Sequence, residues 1–191
     1  NREDASTSII PYQSAETAAD AVWDYNAREN SEYLQLLNGE DWELNIFQNQ
    51  TEAEKYLTAG EGGFMDADFD AAANGWSKVE VPRSWTTYWD TDFTFKDFTI
   101  YTNTQMPWQS KYDTGVGVPK APTNYNPVGL YRKTFTVSDD LLENNNRVYI
   151  HFQGVESAYY VYVNGKEVGY SEDTFSPHKF DITDYLVDGE N

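Results

Sequence analysis

The segment Tyr159-Tyr160-Val161-Tyr162-Val163-Asn164-Gly165 constrains the fold of this chain more than any other. Aromatic and β-branched residues in succession favour a half-buried extended strand. Asn-Gly is the pair that best tolerates positive φ at both central positions of a two-residue hairpin turn. A strand over 159–163, a tight reversal at Asn164-Gly165 and a returning strand over 166–170 are therefore predicted. The same period of two runs upstream. Val148, Ile150 and Phe152 alternate with Arg147, Tyr149 and His151, and Tyr131, Phe135 and Val137 are predicted to share one strand face, with Arg132, Thr134 and Thr136 opposite. Trp42, Leu44 and Ile46 mark an earlier strand, and Val79 and Val81 a short one ended by Pro82.

Helical signals are short. Ser14 is placed to cap a helix through Ala21. Thr51-Glu52-Ala53-Glu54 has capping-box spacing, predicting a helix through Leu57. Ser138 to Leu142 reads as one helical turn and Asp181 to Leu186 as a last one. Residues 60–75, rich in Gly, Ala and Asp, read as a loop, and residues 82–128 carry little regular pattern but many aromatics. The expected architecture is all-β, a jelly-roll β-sandwich over 31–191 with an irregular N-terminal extension over 1–30.

Composition removes several function classes. Thirteen basic and 32 acidic residues give a formal charge of -19, which repels phosphate backbones and anionic lipid surfaces, so neither nucleic acid nor membrane is an expected partner. No run of about 20 apolar residues is present. Ser8-Ile9-Ile10-Pro11 is too short for the apolar centre of a signal peptide, and the chain begins without Met. Cysteine is absent, which excludes disulfides and thiol chemistry but leaves the compartment open between the bacterial cytoplasm and an exported location.

Candidate chemistry is sparse. His151 and His178 are far apart and lack a Cys partner, which disfavours zinc. Asp66, Asp68 and Asp70 imitate the start of a calcium loop, but Ala71 and Ser77 stand where that loop needs Gly and Glu. No Gly-x-Ser-x-Gly or phosphate-binding Gly-rich motif occurs, and no pattern selects a catalytic carboxylate pair among the 32 acids. The aromatics of 82–128 can stack on pyranose faces, or can pack the loop onto a sheet. Asn103 can both donate to and accept from a sugar hydroxyl, or can serve a turn. Asp173 can bind two hydroxyls or a hard cation, or can close an Asx-turn on its own backbone.

Ordered blocks along nearly the whole chain resemble one enzyme family. They include Asn1-Arg2, Leu36-Leu37-Asn38-Gly39-Glu40, Val81-Pro82-Arg83-Ser84-Trp85 and Ile100-Tyr101-Thr102-Asn103 with Pro107. The strongest are Asn126-Pro127-Val128-Gly129-Leu130-Tyr131, Gly154-Val155-Glu156-Ser157-Ala158, Asn164 through Tyr170, Ser171-Glu172-Asp173 and Gly189-Glu190-Asn191. The chain resembles the N-terminal jelly-roll domain of glycoside hydrolase family 2 β-galactosidases of the large bacterial lactase type. The resemblance implies a retaining enzyme for terminal β-D-galactose, whose catalytic glutamates and Mg2+ site lie in a (β/α)₈ barrel that this chain lacks, so the chain alone is expected to be inactive.

For this chain the resemblance implies two substrate-binding residues, Asn103 and Asp173, in a shared pocket. It also implies Na+ beside Asp173, with the remaining ligands outside this chain. Expected partners are a β-galactoside such as lactose or a galactosylated glycan, the enzyme's own barrel, and further copies in a homo-oligomer. The stretch from Gly60 to Gly75 departs from the family pattern as an expansion. The pattern also continues past Asn191, so further strands of this domain are expected and the sheet edges here would otherwise be open. Alternatives are a stand-alone carbohydrate-binding module and a β-glucuronidase or β-mannosidase of the same architecture.

Overall fold

The computed structural model describes residues 2–4, 9–21, 31–57, 63–88, 91–93, 95–97, 121–143 and 146–191. They divide into two compact units, Asn1–Leu37 with Thr134–Asn191, and Asn38–Lys133. Among the described residues the strands form three antiparallel arrangements, and the fold is all-β, as predicted.

In the unit Asn38–Lys133, strand β1 (Gly39–Phe47) is the centre of a sheet. Strand β2 (Ser77–Val81) lies on one side of it and strand β3 (Val128–Arg132) on the other. Leu44 faces Ser77 across one ladder and Tyr131 across the other. The predicted face is buried: Leu44, Ile46 and Val79 pack with Tyr88 and Phe93, with Trp42, Val81 and Trp85 beside them. The opposite face is covered as well, by Phe47 and Leu130 against Ala53, Phe64, Phe69, Ala71 and Trp76.

A central strand covered on both faces explains why Asn45 is only 3% exposed. Its side-chain oxygen accepts from the Ile46 amide at 2.9 Å, which satisfies that polar atom locally.

The second cover comes from the stretch read as a loop. Its described part is a series of turns, but Phe64 stacks on Trp76 at 5.7 Å and Phe69 meets the same ring edge-on at 5.2 Å. Arg132 organises the turns. Its guanidinium donates to the carbonyls of Phe64 (3.1 Å), Asp66 (2.8 Å) and Ala67 (3.2 Å), replacing the ladder bonds that turns lack. The Asp66 and Asp70 carboxylates cap turns here, accepting from the Gly63 and Ala73 amides.

Helix α1 (Ala15–Asp20) starts at Ser14, whose hydroxyl accepts from the Thr17 amide at 3.1 Å. Helix α2 (Gln50–Leu57) is present, but its cap is Asn49, which accepts from the Glu52 amide at 3.0 Å. The Thr51 capping box is therefore not the one used. Asn is a stronger cap than Thr, and it begins the helix two residues sooner.

The unit Asn1–Leu37 with Thr134–Asn191 contains two strand pairs. Strand β4 (Tyr149–Phe152) pairs with β7 (His178–Asp181), and β5 (Ala158–Val163) pairs with β6 (Lys166–Glu172). The β5–β6 turn has the left-handed backbone the sequence requires, with φ of 50° at Asn164 and 74° at Gly165. Both pairs contribute to one core of Val137, Val148, Val161, Val163, Val168, Phe180 and Ile182. Phe180 is fully buried, with Phe152 and Tyr159 meeting its ring edge-on at 6.1 and 6.0 Å. Gly169 makes room for it, since a Cβ there would stand 3.0 Å from the Phe180 ring. Helix α3 (Asp139–Leu142) and the 3₁₀ turn Thr183–Tyr185 fall where helical turns were expected.

One strand differs from expectation. Tyr131 does not share a face with Phe135 and Val137. The ladder of β3 stops at Arg132, and Tyr131 packs edge-on to Trp42 at 6.5 Å. Phe135 and Val137 belong to the Phe180 core. The Phe135 amide and carbonyl instead exchange hydrogen bonds with Asn191 at 2.9 and 2.8 Å. Period-two alternation continues through Lys133 although the chain there passes from one unit to the other.

Phe180→Ala should lower unfolding stability by about 3–5 kcal/mol, whereas Phe175→Ala, at a ring 93% exposed, should change it by no more than about 0.5 kcal/mol. Urea midpoints for the two variants measure the difference.

Candidate functional site

Strand β6 carries the chain to Asp173. Ser171 points inward and is fully buried, while Glu172 points out, as the two-residue period of a strand requires. Asp173 then leaves the ladder with φ of 90°, a backbone conformation that favours residues able to bond their own turn. Its Oδ1 accepts from the Phe175 amide at 3.1 Å and its Oδ2 from the Ser176 hydroxyl at 2.6 Å. The Asx-turn alternative is thus realised in full. The carboxylate nevertheless remains exposed, and each oxygen keeps lone-pair capacity for another partner. The Ser176 hydroxyl, then the Phe175 amide and the nearby His178, hold its pKa below the ordinary 3.8.

A polar group lies behind the turn. Arg2 donates to the buried Ser171 hydroxyl at 3.2 Å and bridges to Phe180, while the Glu3 amide donates to the Lys179 carbonyl at 2.9 Å. Tyr159 faces Ser171 across the β5–β6 ladder. Burial raises its phenol pKa, with Ser171 and the Arg2 charge opposing that shift, so the hydroxyl stays neutral at ordinary pH. The strand end that presents Asp173 is therefore fastened on its inner side to the start of the chain. Sequence reasoning missed both fastenings. The Asp-x-x-Ser spacing of Asp173 and Ser176 was the available signal for one. For Arg2, 169 residues from Ser171, there was none.

Asp173 suits sodium in donor type, since a carboxylate is a hard oxygen ligand. Among the described residues, no group of three or more His, Cys, Asp or Glu side chains could hold a metal. Asn103 lies outside the described residues, and so does the expectation that it shares a pocket with Asp173. In the aromatic-rich stretch, Tyr88 and Phe93 are buried, and Trp85 and Phe95 pack against their core. Asp97 accepts from the Trp85 indole at 2.9 Å and from the Tyr125 hydroxyl at 2.6 Å. For these rings the packing alternative holds. Trp89, Phe98, Tyr101, Trp108 and Tyr112 lie outside the described residues.

Comparison with known proteins assigns the class. Residues 34–191 match the family described as glycosyl hydrolases family 2, sugar binding domain. The chain belongs to this family, whose domain is a β-sandwich and whose ligand class is carbohydrate. A β-galactosidase of Priestia megaterium is 39% identical over the whole chain, which spans 16% of that protein. One from Clostridium acetobutylicum is 53% identical over 91 residues, 48% of this chain and 10% of that protein. A calcium-binding mutant of Bacteroides uniformis β-glucuronidase 2 superposes with a TM-score of 0.47 at 19% identity, over 82% of this chain and 14% of that one.

The lowered pKa has a testable consequence. A carboxyl depressed on folding stabilises the folded chain above its unfolded value, and that contribution is lost as pH falls through the folded value. The Asp173 side-chain carbon should therefore titrate below 3.8 by NMR, and Ser176→Ala should move the midpoint upward. Removing the carboxylate by Asp173→Asn should cost stability near neutral pH, with the difference from wild type vanishing below the folded value.

Proposed function

We propose that this chain is the N-terminal sugar-binding domain of a retaining β-galactosidase that hydrolyses terminal, non-reducing β-D-galactose. The reading rests on one observation: identity of 39% runs through the entire chain to a protein named β-galactosidase, of which the chain is a 16% share. In this proposal Asn103 and Asp173 hydrogen-bond the galactosyl group, and Asp173 contributes an oxygen to a sodium ion beside it. The reacting groups belong to the parent's barrel, where two carboxylates flank the glycosidic bond and Mg2+ is bound. One carboxylate forms a bond to the anomeric carbon as the aglycone leaves with a proton from the other. Water, giving a proton to that other carboxylate, then bonds to the anomeric carbon and displaces the first, which releases the free sugar and restores both groups.

The ionisation of Asp173 favours a neutral sugar. A uronic acid would bring a second carboxylate to an exposed anion held below its ordinary pKa, and like charges repel. That chemistry supports a galactoside, such as lactose or a galactosylated glycan, over a glucuronide. The turn also supports a positioning role, because Ser176 and the Phe175 amide fix the carboxylate before any ligand arrives.

In the full-length polypeptide, Asn103→Ala and Asp173→Ala should each lower kcat/KM for a nitrophenyl β-galactoside by roughly 10- to 150-fold, the range for losing a hydrogen bond to a charged or buried partner. Circular dichroism should show the fold retained. Replacing Na+ with choline should slow the wild type and leave Asp173→Ala indifferent. Wild-type kinetics in both variants would refute the proposal.

A further inference from the structure

The outer face of the β5–β6 hairpin carries a feature that its core does not need. Tyr160 and Tyr170 are direct cross-strand partners, 61% and 41% exposed, with ring centroids 4.8 Å apart and planes inclined by 47°. The inward residues of the same strands, Val161, Val163 and Val168, already fill the core. Such a cross-strand aromatic pair supports the sheet, and with both rings left in water it also offers flat faces on which a ligand can stack.

The polar groups around them fit one class of ligand. The Tyr170 hydroxyl donates to Glu172 at 3.0 Å, and that carboxylate raises the phenol's pKa, so Tyr170 stays protonated. Glu172 keeps acceptor capacity on the same face, two residues along β6 from Tyr170. Glu167 stands opposite Tyr162 farther along the hairpin. Flat aromatic faces beside carboxylate acceptors suit a neutral polyhydroxylated ring, which offers a C–H face and hydroxyl donors. These carboxylates and the net charge of -19 oppose phosphorylated or acidic ligands.

We infer that Tyr160, Tyr170 and Glu172 form a stacking platform for a neutral oligosaccharide, continuous along β6 with Asp173. A strand advances about 3.3 Å per residue, so Glu172 adjoins Asp173 and the tyrosine pair begins roughly 10 Å from it, which suits sugar units beyond the terminal one. The inference deepens the proposed galactoside reading by assigning an extended glycan to the same edge of the domain. Its ligand is an oligosaccharide held by its non-terminal units.

Titration calorimetry on the full-length polypeptide with a hydrolysis-resistant, thio-linked galactotetraose and with galactose separates the two claims. Tyr160→Ala and Tyr170→Ala should each raise Kd for galactotetraose by about tenfold and leave galactose binding unchanged, while Tyr160→Phe should stay within about twofold of wild type. Asp173→Ala should weaken galactose binding and preserve the tyrosine dependence of the tetrasaccharide. If Asp173→Ala has no effect but the tyrosines do, the platform stands and the galactosyl reading falls. An unchanged tetrasaccharide Kd in both tyrosine variants overturns the platform. So does a lowered Tm in Tyr160→Ala with unchanged Kd, since the rings would then be packed by another part of the polypeptide. A Phe variant as weak as Ala would also refute stacking.

Discussion

The left-handed pair Asn164 and Gly165 sets the register on which this unit's geometry rests. A two-residue turn fixes which residues of β5 and β6 oppose each other, and a slip of one would exchange the two faces of the hairpin. In the observed register Val161, Val163 and Ser171 point inward, Tyr160 and Tyr170 point out, and Gly169 lies beneath Phe180. The turn is itself anchored. The Asn164 side-chain amide donates to the Tyr185 carbonyl and to the Asn191 side-chain oxygen, both at 2.8 Å. Asn191 in turn bonds Val187, Gly189 and Phe135. One asparagine thereby supplies both the backbone conformation of the turn and its fastening to distant segments.

Stability in each unit comes from aromatic cores served by a few satisfied polar groups. In one, Phe180 is the most enclosed ring, and the polar atoms near it reach Arg2 through Ser171. In the other, Trp76 gathers Phe64, Phe69 and Tyr56, and Arg132 ties the turns that carry the first two. Arg132 also lies 5.6 Å from the Phe69 ring centroid and 3.7 Å from Glu43 across the ladder. A lysine could not serve as well here, because a single ammonium lacks the planar fork that reaches several carbonyls at once.

What could be read from the sequence was whatever has a local cause. The Asn164-Gly165 hairpin, the Ser14 cap and the alternation of Val148, Ile150 and Phe152 depend on neighbours within a few residues, and each is present. Errors arose where a distant partner decided the outcome. Alternation from Tyr131 to Val137 gives no sign that the chain changes units after Lys133. The described part of the Gly- and Asp-rich stretch is the loop that was read, but the packing of its Phe64 and Phe69 over a strand face could not be seen, because they lie too far apart for any period. The capping-box spacing pointed to Thr51, whereas the helix uses Asn49, two residues earlier. For the site, Asp173 was legible as a strand-end carboxylate with two readings, and its Ser176 partner was not weighed.

Those two readings of Asp173 do not compete. An exposed aspartate free in solution would lose side-chain entropy on meeting a ligand, and that loss weakens binding. Here the Ser176 hydroxyl and Phe175 amide have already fixed the carboxylate, using one acceptor site on each oxygen and leaving others directed outward. The same bonds hold it ionised, the state required both to accept sugar hydroxyls and to coordinate a hard cation. In the proposed reading, a turn that is structural in its own right also preorganises a binding group. Its backbone cost, a non-glycine residue at φ of 90°, is offset by the two hydrogen bonds that make the side chain ready.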